Sequence, residues 1–436
     1  IEQLEKEWKQ YPVFHIDFNG KDFTQAGELE KTLQTFVETQ ELNYGRNPLA
    51  NTLGDRFMAV LKAAHEKTGL GAVVLIDEYD KPLLDVLDTG LKTFDSEGNE
   101  RLLEDRHREI MKGFYSVFKA ADRDLKFVLL TGVTKFSQVS VFSGFNQPDD
   151  ISMDDRYEAL CGITEEELYS VFDEQIKAMA ARYKVSEDEM KYRLKRKYDG
   201  YHFSPSMLDI YNPFSLLNAL DAQDLSCFWV SSGATSMLPK FVDNMELRLR
   251  NFENCPILRK TLESSDVING GAELFLYQTG YLTIKSSDEF GYFLGFPNQE
   301  VKQALYEVVL PSLTMKSESD IISLQGSLFR QLGTGQIADA MKTLKALVAD
   351  VPYSNKKLAS MDMEERYRLI ISTILNAIGL KVEVEHMLAT GRIDLIAQTS
   401  RYIYVIELKL KNNGGKKAAI QQIPNTWSLS KQTSER

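Results

Sequence analysis

Three charged residues near the end of the sequence have the spacing of a cation-dependent hydrolytic site. Asp394 ends the short run Gly391-Arg-Ile-Asp394, and Glu407 lies 13 residues further on, two residues before Lys409. Residues two apart in a strand project from the same face, so we expect Glu407 and Lys409 to share a face. A separation of 13 residues suits a hairpin that brings Asp394 beside Glu407. Two carboxylates and an ammonium at a sheet edge can hold a divalent cation and orient a water towards a phosphate.

A second pair of acids directly follows an apolar run. Asp77 and Glu78 come after Val73-Val-Leu-Ile76. An apolar strand with Asp-Glu at its carboxyl end is the Walker B pattern, in which the aspartate holds the hydration shell of Mg²⁺ and the glutamate polarises a water. Open parallel sheets bind ligands at this edge. Alone, the pattern is equally compatible with two solvated acids that open a loop.

The elements around this pair alternate between strands and helices. The patterns are a strand over 11–18, helices over 27–40 and 49–67, a strand over 73–76, a charged helix over 101–121 and a strand over 126–131. Gly69 is a good helix-ending signal. Apolar strands separated by helices predict a parallel sheet that is covered on both faces.

The rest of the chain changes character twice. From about Thr164 it is mostly helical, with short strands near 275–285 and 292–296. The last part combines a helix over 362–378, three strand-like runs and a basic helix. The sequence therefore predicts an α/β protein with three domains: a parallel-sheet core over 1–160, a mainly helical middle region over 161–350 and a small α/β domain over 351–436.

The composition excludes several classes of protein. The chain has 436 residues, of which 43% are hydrophobic and 26% charged, a normal globular balance. Its formal charge of −12 argues against a nucleic-acid coat protein. Apolar runs reach about six residues, far fewer than the roughly 20 that span a bilayer. Cys161, Cys227 and Cys255 are far apart and lack metal-ligand spacing, which predicts free thiols and a cytoplasmic location.

Longer motifs add a resemblance to a known family. The run IDEYDKP, followed by a strand that ends LLTGVTKFSQVSVFSGFN, resembles bacterial AAA-ATPase-like proteins. Further matching motifs occur in the same order: YDGYHF at 198–203, YNPFSLL at 211–217, FWVSSG at 228–233 and YQTGYLTI at 277–284. The resemblance implies a P-loop-type ATPase core in which Asp77, as a metal ligand, and Glu78 form the Walker B pair. Thr131 or Lys135 would sense the γ-phosphate; the alternative for both is a polar residue of a turn.

One part of that family's nucleotide site has no counterpart in the sequence. A P-loop needs Gly-x-x-x-x-Gly-Lys-Ser/Thr, because successive backbone N–H groups and the lysine hold the phosphates. The string does not occur in these 436 residues. In the family it precedes the strand that corresponds to 13–18, so we expect the ATPase core to be incomplete at its N-terminus. ATP is then a cofactor only together with that segment, and this chain is expected not to hydrolyse ATP.

The C-terminal residues resemble the PD-(D/E)XK nuclease superfamily over about 355–423. The resemblance implies that Asp394 and Glu407, with the carbonyl of Leu408, ligate Mg²⁺ or Mn²⁺. It implies that Lys409 makes the attacking water more acidic or stabilises the pentavalent phosphate. An apolar strand that carries E-x-K alone more often reflects a surface salt bridge.

Two helices flank that motif in the superfamily. Either Glu364 or Glu365 belongs to the first, and we select Glu365 to complete a second metal site. Gln422 belongs to the last helix and is expected to contact substrate or metal. Residues 401–436 contain seven Lys and Arg against two Glu, which favours a polyanionic ligand.

The sequence thus predicts a metal-dependent nuclease that cleaves DNA or RNA phosphodiesters, coupled in the intact protein to an ATPase-like module. The rival hypothesis is a non-enzymatic, ATP-switched scaffold whose nuclease-like domain only binds a partner. A set of aromatic residues leaves one further alternative: they either stack on a nucleobase or pack in the hydrophobic core. The group is Tyr198, Tyr201, Phe203, Tyr211 and Phe214.

Overall fold

The computed structural model describes most of the chain. The described residues are 7–87, 89–95, 97–134, 149–229, 252–262, 271–314, 318–348, 362–388, 391–399 and 401–409. Lys135 and Gln422 lie outside them, as does the predicted basic helix after Lys409. The chain forms two compact units: residues 1–150 with 260–279, and residues 151–259 with 280–436.

The first unit is a mixed α/β structure. Its elements are β1 (Val13–Asp17), α1 (Glu28–Tyr44), α2 (Leu53–Thr68), β2 (Ala72–Asp77), α3 (Lys81–Leu84), β3 (Lys92–Phe94), β4 (Glu100–Leu102), α4 (Leu103–Tyr115), α5 (Val117–Ala120) and β5 (Leu125–Leu130). Thr52 caps α2 by accepting a hydrogen bond from the backbone N–H of Asp55 at 3.1 Å. Gly69 ends α2 with a φ of 68°, as its position predicted.

A parallel sheet lies at the centre of this unit. Its described strands run in the order β1-β2-β5. Asp17 lies opposite Asp77, so both strands place an acid at their carboxyl ends. The parallel sheet predicted from the apolar runs is confirmed for these strands.

Strand β5 is less buried than its apolar sequence predicts. Phe127 is 51% exposed, whereas Val74 on β2 is fully buried. Strand β5 lies at one edge of the described sheet and β2 lies between two partners. An apolar run therefore does not by itself distinguish a central strand from an edge strand.

The second unit is mainly helical up to residue 222. In chain order the elements that follow residue 150 are β6 (Ile163–Thr164), α6 (Glu165–Val171), α7 (Asp173–Tyr183), α8 (Glu187–Tyr198), β7 (Ile210–Tyr211), α9 (Pro213–Ala222), β8 (Cys255–Leu258), α10 (Arg259–Leu262), α11 (Gly271–Gln278), β9 (Thr283–Ser287), β10 (Gly291–Gly295), α12 (Gln299–Thr314), α13 (Glu318–Gly333) and α14 (Ile337–Val348). Of these, α11 and residues 260–262 of α10 belong to the first unit. Strands β8, β10 and β9 form an antiparallel sheet in that order.

The strand predicted near 275–285 is partly wrong, because residues 275–278 end helix α11. The helix contains the apolar run Leu274-Phe-Leu276, which is buried throughout. Short apolar runs that are buried on every side have no periodicity that separates a helix from a strand.

The C-terminal part of the second unit is small and α/β. It consists of α15 (Met363–Ala377), β11 (Lys381–Leu388), β12 (Gly391–Gln398) and β13 (Ile403–Ile406). The strands form an antiparallel sheet in the order β11-β12-β13. Among the residues that the structure describes, no helix is both long enough and apolar enough to cross a bilayer.

Two of the family motifs meet in the second unit. Tyr198 and Tyr211 are fully buried, and the hydroxyl of Tyr201 donates to the carbonyl of Gly280 at 2.9 Å. The backbone N–H of His202 donates to Thr283 Oγ1 at 2.8 Å. For these three tyrosines the structure favours core packing over stacking on a nucleobase.

The first motif also buries a carboxylate. The Asp199 side chain is 2% exposed, and its Oδ2 lies 3.7 Å from Lys195 Nζ. Burial raises the pKa of Asp199 from the ordinary value of 3.8 to about 6, and the nearby Lys195 only partly offsets this effect. The charged form that prevails at neutral pH is therefore unfavourable in the folded state.

Replacing this carboxylate should stabilise the protein above its pKa. Because the pKa of Asp199 is higher in the folded state, stability falls as pH rises from about 4 to 6. We expect Asp199→Asn to raise the free energy of unfolding at pH 7.5 by up to about 3 kcal/mol, since one pKa unit corresponds to about 1.4 kcal/mol. The gain should vanish near pH 4. Thermal unfolding measured between pH 4 and 8 tests this.

A neighbouring acid provides a control, because its replacement should change the free energy of unfolding in the opposite direction. Burial also acts on Asp209, but hydrogen bonds from His202 and Lys195 outweigh it and lower the Asp209 pKa. Asp209→Asn should therefore destabilise the protein at pH 7.5. Destabilisation by Asp199→Asn at that pH would contradict the assignment of Asp199 as an unfavourable buried charge.

Candidate functional site

Helix α15 presents two charged residues to one side. Asp362 caps the helix by accepting a hydrogen bond from the Glu365 backbone N–H at 2.8 Å. Glu364 and Arg368 are four residues apart, so they lie on the same face of the helix. Glu365 is one position further round the helix than Glu364.

The hairpin of β12 and β13 places the two predicted carboxylates opposite each other. Leu395 pairs with Ile406, and continuing this antiparallel register by one residue sets Asp394 opposite Glu407. Side chains directly opposite each other in such a pair lie on the same face of the sheet. The backbone N–H of Leu408 donates to Asp394 Oδ2 at 2.9 Å, which fixes the Asp394 carboxylate beside β13.

Ion pairs connect the helix to this hairpin. Arg368 Nη1 donates to Asp394 Oδ1 at 3.1 Å. Lys409 Nζ lies 3.0 Å from Glu407 Oε1 and 3.8 Å from Glu364 Oε2. These five residues, Glu364, Arg368, Asp394, Glu407 and Lys409, are called the charged cluster below.

Burial shapes the proton affinities in the charged cluster. The Glu407 side chain is only 2% exposed, and burial raises the pKa of its carboxyl group, with a further contribution from Asp394. Burial acts to lower the pKa of Lys409, but Glu407, Asp394 and Glu364 outweigh it and raise that pKa. Lys409 is therefore an ammonium at neutral pH, suited to stabilise negative charge rather than to accept a proton.

The structure brings some of the predicted residues together. Asp394, Glu407, Leu408 and Lys409 adjoin one another. From the first helix, Glu364 Oε2 lies 3.8 Å from Lys409 Nζ. Arg368 was not among the predicted residues, although its spacing of four residues from Glu364 is a signal that points to it.

The donors in the charged cluster suit a hard cation. Within the part of the chain that the structure describes, no three His, Cys, Asp or Glu side chains are gathered as a metal-holding group. Mg²⁺, however, is often bound through one or two carboxylates while it keeps several of its waters. Asp394 and Glu407, which the strand register sets opposite each other, fit that mode of binding.

The second candidate site lies at the carboxyl end of β2. Thr131, just after β5, donates its hydroxyl hydrogen to Asp77 Oδ1 at 2.5 Å. The structure thus brings two predicted residues together, whereas Lys135 lies outside the described residues. Glu78 has a φ of 52°, which is rare for a residue with a side chain. Burial, followed by the charges of Asp80 and Asp77, raises the pKa of Glu78.

Asp80, the third acid of this run, was not among the predicted site residues. It is fully buried, and its Oδ2 accepts hydrogen bonds from the Thr134 backbone N–H at 2.6 Å and the Thr134 hydroxyl at 2.7 Å. Its Oδ1 accepts from the Val133 backbone N–H at 3.2 Å. A Cβ at Gly132 would lie 2.5 Å from Asp80 Oδ1, so the loop closes tightly on this carboxylate. Asp80 therefore fixes the loop that begins with Thr131.

Comparison with known proteins gives separate matches for the N-terminal and C-terminal parts of the chain. Residues 1–142 match the profile of a family described as a predicted AAA-ATPase, and residues 362–436 match the PD-(D/E)XK nuclease superfamily. The resemblance inferred from the sequence is confirmed at both ends of the chain. The chain is also 29% identical over 431 residues to a protein of Azotobacter chroococcum mcd 1, described as an uncharacterized protein in the vnfD 5′ region. That alignment covers 97% of this chain and 78% of the relative.

Removing the Asp80 carboxylate should loosen the loop after β5. Asp80→Ala leaves the buried Thr134 N–H and hydroxyl and the partly buried Val133 N–H without their acceptor, so we expect the free energy of unfolding to fall by about 2–4 kcal/mol. Chemical denaturation measures this loss. Hydrogen exchange should show faster exchange of the Val133 and Thr134 amides.

Asp80→Asn is the matched control, because it keeps the shape and one acceptor oxygen. It should lose less stability than Asp80→Ala and protect Thr134 partially. Wild-type stability and unchanged exchange in Asp80→Ala would show that the loop does not depend on this carboxylate.

Proposed function

We propose that this chain is a divalent-cation-dependent nuclease whose charged cluster cleaves phosphodiesters, coupled to an AAA-ATPase-like module. The observation that carries the proposal is the facing pair Asp394 and Glu407, with Lys409 beside it. The match of residues 362–436 to the PD-(D/E)XK nuclease superfamily supports it. The cleaved substrate is DNA or RNA, in keeping with the seven Lys and Arg against two Glu in residues 401–436.

The acidic residues would hold the cation. Asp394 and Glu407 supply one carboxylate each, and the Leu408 carbonyl adds a third oxygen for Mg²⁺ or Mn²⁺. When bound, such an ion polarises a phosphoryl oxygen and makes a water more acidic. We further propose that Glu365 contributes to a second cation and that Gln422 contacts substrate.

The basic residue would act on the phosphate. The Lys409 ammonium is held between Glu407 and Glu364, at 3.0 and 3.8 Å. From there it donates a hydrogen bond to a phosphate oxygen and offsets the negative charge that grows as the water attacks. The raised pKa of Lys409 keeps this proton in place at neutral pH.

The N-terminal module would gate this activity through nucleotide binding. Asp77 and Glu78 take the roles of the Walker B pair, with Asp77 towards Mg²⁺, and Thr131 or Lys135 senses the γ-phosphate. We propose the three domains already predicted, 1–160, 161–350 and 351–436, as the functional division, and the cytoplasm as the location. ATP binding requires a P-loop, whose sequence pattern is not found in these 436 residues.

A second function is favoured by one observation. Arg368 and Lys409 already pair with Asp394 and Glu407, which is also how a structural salt-bridge network is built. On this reading the chain is an ATP-switched scaffold, and its nuclease-like domain binds a partner without cleaving anything.

Two substitutions distinguish the enzyme from the scaffold. Lys409→Ala removes the ammonium but keeps both carboxylates, so cleavage in Mn²⁺ should fall about 100-fold or more, while cation binding is kept. Glu407→Ala should lose cation binding and cleavage together. Cleavage of labelled DNA and RNA, with calorimetric titration of Mn²⁺, measures both quantities.

Lys381→Ala is the charge-matched control, because Lys381 is an exposed lysine of β11 that pairs with Glu383 at 3.5 Å. It should leave cleavage unchanged. If the wild-type chain binds no cation and cleaves neither nucleic acid, the scaffold hypothesis is favoured. If Lys409→Ala and Glu407→Ala cleave like the wild type, the charged cluster is not the site of cleavage and the proposal fails.

The ATPase module gives an independent prediction. The chain as given should show no ATP turnover, because the backbone N–H groups and lysine of a P-loop are needed to hold the phosphates. A coupled phosphate-release assay measures this. Turnover that disappears in Glu78→Gln would show that this chain holds ATP without that motif.

A further inference from the structure

Arg368 is an unusual residue to find at a cation site. It is 8% exposed, and its neighbours on α15, Leu369 and Ile370, are buried as well. A buried guanidinium stays charged at any physiological pH. It therefore needs a permanent partner, and the structure gives it the carboxylate of Asp394 at 3.1 Å.

We propose that Arg368 is the built-in counter-charge of Asp394 and sets the cation affinity of the site by competing with the divalent ion for Asp394. This inference rests on the proposed function, because it takes the charged cluster to be a cation site. It adds a role that lies outside the D…E-x-K motif, for a residue on the preceding helix.

The hydrogen bonds of Asp394 support competition. Its Oδ2 accepts from the Leu408 backbone N–H, and its Oδ1 accepts from Arg368. The first bond joins β12 to the chain just after the end of β13, so a cation that binds at Oδ1 need not displace it. Oδ1 is thus the oxygen on which a cation and Arg368 meet, and the two positive charges repel each other across it.

The charge balance points in the same direction. The charged cluster has three carboxylates and two cationic groups, so one net negative charge remains to attract an ion. Replacing Arg368 with a neutral residue doubles that net charge. Because the site is largely buried, water screens the change only weakly.

The fixed position of Arg368 makes the competition persistent. Helix α15 packs against α12 and β11, and most of its residues after Glu365 are buried. The side chain is thus enclosed by packed neighbours, unlike a surface arginine, which is free to turn into solvent. Weak cation binding in the free protein is the expected consequence.

The decisive variant is Arg368→Met, which removes the charge and keeps a long apolar stem. Calorimetric titration of the full chain with Mn²⁺ should show at least about tenfold tighter binding, equivalent to about 1.4 kcal/mol. In chelator, the variant should unfold at a lower temperature than the wild type, because Asp394 loses its partner. Addition of Mn²⁺ should raise its unfolding temperature by more than it raises that of the wild type.

Three controls accompany this titration. Arg401→Met makes the same change in charge at an exposed position in the β12–β13 turn, roughly 20 Å along the strand from Glu407, and should change affinity less than twofold. Arg368→Lys keeps the positive charge and should bind Mn²⁺ nearly as the wild type does. The double variant Arg368→Met/Asp394→Asn should regain stability in chelator but bind no Mn²⁺.

The outcomes separate the two proposals. Equal or weaker Mn²⁺ binding by Arg368→Met, in a chain whose wild type binds Mn²⁺ and cleaves nucleic acid, would overturn the competition and leave the proposed function standing. No Mn²⁺ binding by either the wild type or Arg368→Met, when both are folded, would overturn the proposed function and this inference together.

Discussion

The pairing of β12 with β13 is the constraint on which the C-terminal site depends. The register that joins Leu395 to Ile406 also sets Asp394 opposite Glu407. A slip of one residue would move Glu407 and Lys409 to the other face, away from Asp394. The bond from the Leu408 backbone N–H to Asp394 fastens the register at the position where the chemistry is proposed. A single hydrogen bond thus links the backbone pairing to the carboxylate geometry.

The N-terminal site also needs its acids held in position beside a neighbouring element, and a different interaction does so there. Its carboxylates follow the end of a parallel strand, where no hairpin fixes the neighbouring chain. Asp80 holds the neighbouring chain in place by accepting hydrogen bonds from two backbone N–H groups of the loop after β5. Thr131 thereby stays within hydrogen-bonding distance of Asp77. In both sites a carboxylate bonded to the backbone holds the elements in register. Asp394 combines this role with that of a proposed cation ligand, whereas Asp80 is separate from the proposed Walker B pair.

The sequence predicted the strands and the order of the motifs better than it predicted the partners. The apolar runs and the helix-ending Gly69 indicated the parallel sheet, because the polarity of a short run and the backbone preference of a glycine can be read locally in the sequence. The facing of Asp394 and Glu407 followed from their separation along the chain. The pairing of Arg368 with Asp394 did not follow from the sequence, since the two are 26 residues apart and a charged residue of an amphipathic helix normally faces solvent. Only the spacing of Arg368 from Glu364 pointed to it. The prediction over 275–278 failed for a related reason, because the buried apolar run Leu274-Phe-Leu276 carries no periodic signal that separates a helix from a strand.

The two sites also differ in how their negative charge is balanced. Neutral donors hold Asp77 and Asp80, and such bonds fix a carboxylate without cancelling its charge. The pKa of Glu78 is raised in part for that reason, so a cationic ligand would relieve the repulsion there. The charged cluster carries its own compensation in Arg368 and Lys409. A site of the first kind would gain folding stability from a cationic ligand, whereas a site of the second kind is already compensated and would have to give up an ion pair to bind one.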